Sequence, residues 1–272
     1  MSTPATAEQL LEPNEEIWPD IPLPPTNLPL EDGIPLETNQ HRMAMNALIQ
    51  SLKQAWSDRT DFFVGGNMFV YFSTAQVRNK DYRGPDFFVA LDIDGSYSRQ
   101  SWMVWEEGGK YPDVIIELLS PSTKAEDLGT KKTLYERIFK TADYFVFDPF
   151  DAHSLQGWHL KESHYEPLIP NPQGWLWSSK LELWLGVWEG QVEQESRFWL
   201  RFYDAQGQLV LLPEEAAKQQ AQEAQQQAQE AQQQAEQAQQ QADSERQQRL
   251  LAEQRAEQLA QRLRALGVNP DD

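Results

Sequence analysis

Val114-Ile-Ile-Glu-Leu-Leu119 is a continuous apolar run with one carboxylate, Glu117, in its middle. An apolar run of this length predicts a strand buried on both faces. A carboxylate inside such a strand is costly unless a metal ion, a cation or a set of hydrogen bonds compensates it. Ser120-Pro-Ser-Thr123 then ends the strand, because proline cannot continue the ladder. Whatever else the chain does, it must bring a partner to Glu117.

The flanking segments read as a mixed α/β pattern. Residues 1–36 are rich in proline and acid and predict an extended arm. Thr38 or Asn39 can cap a helix running to about Asp58, with Met45, Leu48, Ile49, Leu52 and Trp56 as its buried stripe. Asp61-Phe-Phe-Val-Gly-Gly-Asn-Met-Phe-Val-Tyr-Phe72 predicts a strand, a glycine turn and a second strand. Gly84-Pro-Asp86 leads into an apolar strand, Phe87 to Leu91, and Trp102 to Trp105 could form a short strand of its own. After the Glu117 strand, Asp127 to Phe139 predicts a helix with Leu128, Lys131, Leu134, Tyr135 and Ile138 on one face. Tyr144 to Asp148 is a further strand, and Leu155 to Leu212 alternates as antiparallel strands do.

Composition changes abruptly at Pro213. Residues 214–242 are almost wholly Ala, Gln and Glu, which are good helix formers. Ala217, Ala221, Ala224, Ala228, Ala231, Ala235, Ala238 and Ala242 are spaced alternately four and three apart, a heptad seam. The phase continues through Ala252, Ala256, Leu259, Leu263 and Leu266, interrupted only by Glu245 and Arg249; Gly267, Asn269 and Pro270 would stop the helix. A solvated single helix and a weak coiled coil both fit this pattern. Three regions result: an arm (1–36), a folded domain (37–212) and a helical tail (213–272).

All ten tryptophans precede residue 200, which places the core there. The absence of cysteine excludes disulfides and thiolate metal sites and suits a reducing cytosol. The N-terminus lacks a signal pattern, and no apolar run reaches the roughly 18 residues of a membrane span. A soluble, cytoplasmic protein is expected. The net charge of −19 divides into −5 for residues 214–272 and −14 for the remainder. Such an acidic body argues against non-specific nucleic-acid binding and leaves room for a local basic patch or an acidic metal centre.

Asp86 and Glu117 stand on two short strands separated by one connection. Brought side by side, they would repel each other, and their pKa values would rise, unless a cation sat between them. Two carboxylate ligands suit Mg²⁺, which commonly keeps several waters. Asp127, Lys131 and Tyr135, spaced four apart, share a face of the helix directly after the Glu117 strand. Asp113 also forms a Pro-Asp pair, but it lies about 13 Å along the same strand from Glu117, at ~3.3 Å per residue, and makes a poor co-ligand. Simpler roles compete for each residue. Asp86 can cap a turn, Glu117 can pair with Lys131 without metal, and Lys131 can be structural. His41 can be a polar residue at a helix start, Asp148 a strand-end turn residue, and His153, His159 and His164 lie among turns and strand edges.

Gly84-Pro-Asp86 before an apolar strand, Pro112-Asp-Val-Ile-Ile-Glu117-Leu-Leu-Ser-Pro-Ser122, Asp127-x3-Lys131-x3-Tyr135 and Asp143-Tyr-Phe-Val-Phe-Asp148-Pro149 together resemble the Uma-two-type "putative restriction endonuclease" family. That family belongs to the PD-(D/E)XK nuclease superfamily. The resemblance covers roughly residues 37–212 and extends to Leu181-x-Leu-x-Leu-Gly186 and Tyr203 to Glu215. It implies a restriction-endonuclease-like mixed central sheet flanked by helices. It also implies a metal-dependent DNA endonuclease in which Asp86 and Glu117 hold Mg²⁺ or Mn²⁺ and Lys131 completes the catalytic set. Tyr135 and His41, which matches a histidine often found in the family's first helix, are accessory candidates. One position departs from the pattern: the superfamily lysine two residues after the glutamate is here Leu119. The rival reading is therefore a catalytically degenerate nuclease fold that acts as a binding or scaffold module, assembled as a homo-oligomer through its C-terminal helix.

Overall fold

The computed structural model describes residues 25–29, 38–73, 75 and 84–265. Most of the proline-rich arm and the helix-stop residues Gly267, Asn269 and Pro270 lie outside the described residues, as does Leu266. The chain divides into two units, one ending at Val210 and one starting at Leu211.

The first unit begins with α1 (Asn39–Ala55), capped by Thr38, whose hydroxyl accepts the His41 backbone N–H at 3.3 Å. The helix ends three residues before the expected Asp58, where Trp56 N–H closes on Leu52 O. Its buried face is broader than the expected stripe: Met43, Ala44, Met45, Ala47, Leu48, Ser51 and Leu52 are covered, whereas Ile49 and Trp56 are only half-buried. A wide face is needed because α1 packs against strands of two sheets.

The strands in chain order are β1 (Phe62–Gly65), β2 (Val70–Tyr71), β3 (Phe87–Leu91), β4 (Trp102–Met103), β5 (Val114–Leu118), β6 (Asp143–Phe147), β7 (Gln156–Lys161) and β8 (His164–Pro167). They are followed by β9 (Leu176–Ser178), β10 (Leu183–Val192) and β11 (Glu195–Tyr203). The central sheet has the order β1-β3-β5-β6-β7-β8. Only the β5–β6 pair is parallel, so the sheet is mixed. β9, β10 and β11 form a separate antiparallel sheet.

β5 is buried at every residue, as an apolar run without alternation requires. Its two faces serve different layers. Ile115 and Leu119 point with Phe88, Ala90, Tyr144 and Val146 into a cluster closed by Tyr135 and Phe139. On the opposite face the Phe87 ring meets Phe202 of β11 at 5.9 Å between centroids.

The helix after β5, α2, spans 124–139 and alternates α-helical segments (Lys124–Glu126, Lys132–Leu134) with π-helical ones (Asp127–Lys131, Tyr135–Phe139). In a regular α-helix, positions four apart drift by about 40° per step. Each π turn inserts an extra residue and cancels this drift. Asp127, Tyr135 and Phe139 consequently stay on one buried face, with Lys131 between them largely covered. The same change of phase corrects one expectation: Ile138 is not on that face and is 51% exposed.

A second correction concerns residues 61–72. β1 and β2 do not form a hairpin. β1 pairs antiparallel with β3, and β2 pairs parallel with β4 in a small sheet of its own. Gly65-Gly66-Asn67 does not reverse the chain onto β1; Asn67 N–H bonds to Pro85 O and directs the chain away. Leu28 packs with Phe69, Tyr71 and Met103 beneath this small sheet, and Tyr71 OH donates to the Pro29 carbonyl.

The second unit contains α3 (Pro213–Ala265), a single uninterrupted helix of 53 residues with no buried side chain. No helix among the described residues is long and apolar enough to cross a membrane.

Gly66 ties α1 to the start of β3. A methyl group there would lie 2.6 Å from the Asp86 carbonyl oxygen and 2.8 Å from Met45 Sδ. Met45 can move but the Asp86 backbone cannot, so Gly66→Ala is expected to lower stability by about 1–3 kcal/mol. Urea denaturation of the variant and the wild type measures this; an unchanged midpoint would show that the junction is not tight.

Candidate active site

β3 and β5 run antiparallel with Phe87 opposite Ile116. One step further along that register stands Asp86 opposite Glu117. Side chains directly opposite on neighbouring strands approach closely, and like charges there are destabilising. The β3 ladder ends at this point, and the Asp86 side chain takes over the hydrogen bonding: its Oδ2 accepts the Leu118 N–H at 2.7 Å. In return the Asp86 N–H donates to Glu117 Oε2 at 3.3 Å. The two acids are thus locked beside each other by backbone donors.

The turn after β5 brings α2 back over Glu117. Ser120 and Thr123 exchange side-chain and backbone hydrogen bonds at 3.0–3.3 Å and fold the Pro-Ser segment tightly. Tyr135 OH then donates to Glu117 Oε1 at 2.8 Å. Lys131 Nζ lies 3.3 Å from the same oxygen and 2.8 Å from Asp127 Oδ1. Glu117 is fully buried, Asp127 nearly so, and the Lys131 side chain is 14% exposed. Asp86, Glu117, Lys131 and Tyr135 therefore converge. Asp127 was legible in the sequence only as a residue on their face; its spacing of four from Lys131 is the signal that it pairs with it.

The remaining candidates lie elsewhere. The His41 ring is buried and bonds through Nδ1 to Thr38 Oγ1 at 2.8 Å and through Nε2 to the Leu119 carbonyl at 3.3 Å. A carbonyl can only accept, so Nε2 carries the proton. His41 holds the backbone at the end of β5 and does not bond to the carboxylates. Asp113 receives the Leu91 N–H and pairs with Lys110. Asp148 accepts the Phe150 N–H, a strand-end turn. His159 pairs with Asp143 at 2.7 Å, and His153 and His164 lie in a turn and on an exposed strand end. Leu119, in place of a lysine, is buried in the apolar cluster on the Glu117 face. Lys132, the neighbour of Lys131, instead stands 3.7 Å over the Trp158 ring.

Three carboxylates around one ammonium leave two uncompensated negative charges if all are ionised. Burial raises Glu117 from 4.5 to about 8; Lys131 opposes this and Asp86 adds to it. Burial likewise raises Asp86 from 3.8 to about 6, against the pull of the Leu118 N–H and Lys131. Burial alone would lower Lys131, but Glu117 and Asp127 outweigh it and hold the ammonium protonated above the usual lysine range. Burial and the Glu117 charge keep the Tyr135 phenol protonated as well.

Negative charge beyond what one ammonium can balance, on hard oxygen donors, suits a divalent cation of the Mg²⁺ class, and Asp86 and Glu117 are the residues that could hold one. No group of three or more His, Cys, Asp or Glu residues able to hold a metal ion exists among the described residues. The candidate set is two carboxylates, and Mg²⁺ commonly takes one or two and keeps several waters.

These shifts set a pH dependence. A carboxyl whose pKa is raised by folding favours the folded state when protonated, and that contribution disappears as pH rises through the folded pKa. Without divalent cations, the contribution of Glu117 and Asp86 should be complete below about pH 4 and lost by about pH 8. Glu117→Gln keeps an uncharged acceptor for Tyr135, so its urea midpoint should fall less than that of the wild type between pH 5 and pH 8.5 in chelator. Equal falls in both proteins would contradict the raised Glu117 pKa.

Comparison with known proteins agrees with the sequence resemblance. No curated protein matches the chain. Among solved structures, it is similar to a crystal structure described as a putative nuclease belonging to DUF820 from Anabaena variabilis ATCC 29413. That similarity has 15% sequence identity and a TM-score of 0.38, over 54% of this chain and 76% of the other. Residues 28–193, which include every residue of the Asp86–Glu117–Lys131 cluster, match the Uma2 family model, described as "Putative restriction endonuclease". The match spans more than half of the sequence, and the chain belongs to the Uma2 family.

Proposed function

We propose that this chain is a divalent-cation-dependent nuclease that hydrolyses DNA phosphodiester bonds as an endonuclease. The observation that carries the reading is the buried group of Asp86, Glu117 and Asp127 around the single ammonium of Lys131, within the Uma2 match. Asp86 and Glu117 would hold Mg²⁺ or Mn²⁺. When bound, such an ion would supply a Lewis acid for the phosphate. Lys131, held protonated, suits stabilisation of charge on a phosphate oxygen and not proton abstraction. Asp127 orients its ammonium, and Tyr135 holds Glu117 Oε1 in place. His41 fixes the end of β5 and has a positioning role.

The alternative, a degenerate nuclease fold used as a binding module, is favoured by Leu119, which occupies the superfamily lysine position and is buried in the core. Lys131 answers this by delivering an ammonium to Glu117 from the adjacent helix.

The test is plasmid cleavage with Mg²⁺ or Mn²⁺. Wild type should cleave, and Glu117→Gln and Asp86→Asn should lose both cleavage and calorimetric metal binding while remaining folded. Unchanged metal affinity in both variants would remove the metal site, and an inactive wild type that binds metal would favour the alternative.

Lys131→Ala should reduce cleavage roughly a hundredfold or more, the scale of losing one charge-stabilising donor, with metal binding largely retained. Lys132→Ala, which removes only a cation–π contact outside the cluster, should be much milder. Equal losses in the two variants would count against the role of Lys131.

A further inference from the structure

The helix α3 exposes a seam with nothing to cover it among the described residues. Leu259 and Leu263, both seam positions, are 60% and 38% exposed. In heptad notation the seam places Ala221, Ala228, Ala235, Ala242, Arg249, Ala256 and Leu263 at a, and Ala224, Ala231, Ala238, Glu245, Ala252 and Leu259 at d. Two consecutive core positions therefore carry opposite charges, Glu245 and Arg249, in an otherwise apolar row.

We propose that α3 pairs with α3 of a second copy of this chain as an antiparallel coiled coil, with its two-fold axis at residue 247. In antiparallel pairs each a position faces a d position. With the axis at 247, Glu245 faces Arg249 of the second copy, and the symmetry repeats the pair on the other side. The same register sets Ala242 against Ala252 and Ala238 against Ala256, so the helices can approach closely around the ion pairs. Further out it sets Leu259 against Ala235 and Leu263 against Ala231, so that each large side chain meets a small one. Every layer from Ala231 to Leu263 is satisfied by this one register.

A parallel dimer fails on the same residues. Layers there repeat the same position, so Glu245 would face Glu245 and Arg249 would face Arg249 in adjacent core layers, each costly in a partly desolvated seam. Of the flanking positions, Gln241 and Gln248 at g are neutral, while Arg246 and Glu253 at e are charged and offset only part of this cost. Charge complementarity thus selects both the occupant and its direction. Alanine layers bury little area, so the association is modest and depends on the leucine ends and on the central ion pairs. The proposal does not rest on the nuclease reading.

The full chain contains no cysteine, so single thiols can be placed without background. Ala242→Cys and Ala252→Cys are each prepared and oxidised separately and as a mixture. In the antiparallel register, residue 242 of one copy lies ten residues along from residue 242 of the other. At ~1.5 Å per residue that is about 15 Å, beyond disulfide reach. The mixture should give a cross-linked dimer and the separate variants should not. Cross-linking of each variant to itself would overturn the antiparallel direction, and a monomeric mass for the wild type in sedimentation equilibrium would overturn the association. Glu245→Arg should weaken dimerisation about tenfold or more, and the Glu245→Arg, Arg249→Glu double variant should recover it to within a few-fold. A single variant as dimeric as the wild type would overturn the ion pair.

Discussion

A carboxylate buried in the middle of a sheet depends on what is brought to it, and in this protein much of the architecture serves that need. Glu117 lies on a strand covered on both faces, where an isolated charge would be too costly to keep. Three groups meet it from two elements: the Asp86 backbone N–H from the start of β3, and the Tyr135 hydroxyl and the Lys131 ammonium from α2. The end of β3, the tight turn after β5 and the phase of α2 must all be correct at once for this to happen. A displacement of any of them would strip a buried acid of part of its compensation.

The same contacts leave the group with more acid than its one ammonium can balance. Asp86 and Glu117 both carry pKa values above the carboxylate range, and burial is the larger cause in each case. Lys131 is already shared between Glu117 and Asp127 and cannot neutralise all three acids. Protonation can relieve the remaining charge, and so can a divalent ion. In the proposed function, stability of the metal-free protein and affinity for metal would be coupled through the same two carboxylates. The cluster lies within the segment that matches the Uma2 family.

The π-helical turns of α2 connect packing with chemistry. They keep Asp127, Tyr135 and Phe139 over the sheet for about three turns, whereas a regular helix would have rotated its later residues away. Phe139 closes the apolar cluster, Tyr135 closes the polar one, and Ile138 is left in solvent. Leu119 belongs to this balance. With an ammonium arriving from the helix, the strand position two residues after Glu117 can be given to the core.

Much of the fold follows from local pattern. The buried strand around Glu117, the capped helix from Asn39, the helix carrying Lys131 and Tyr135, and the continuous tail helix are set by hydrophobic periodicity, caps and breakers within single segments, and so they are legible in the sequence. The face shared by Asp127, Lys131 and Tyr135 is legible for the same reason. Pairings between segments are not. The Gly65-Gly66 pair reads as a hairpin turn, yet β1 joins β3 and β2 joins β4, because strand partners are chosen by burial in the whole sheet and not by the turn. The place of Asp86 directly across from Glu117, 31 residues away, and the use of its side chain to extend the ladder arise only from that register. His41 is a polar residue at a helix start in the sequence; only the fold directs its ring to the Leu119 carbonyl. The protonation states of the cluster are likewise tertiary, since they depend on how far water is excluded and on which charges share the space, neither of which is encoded in any one segment.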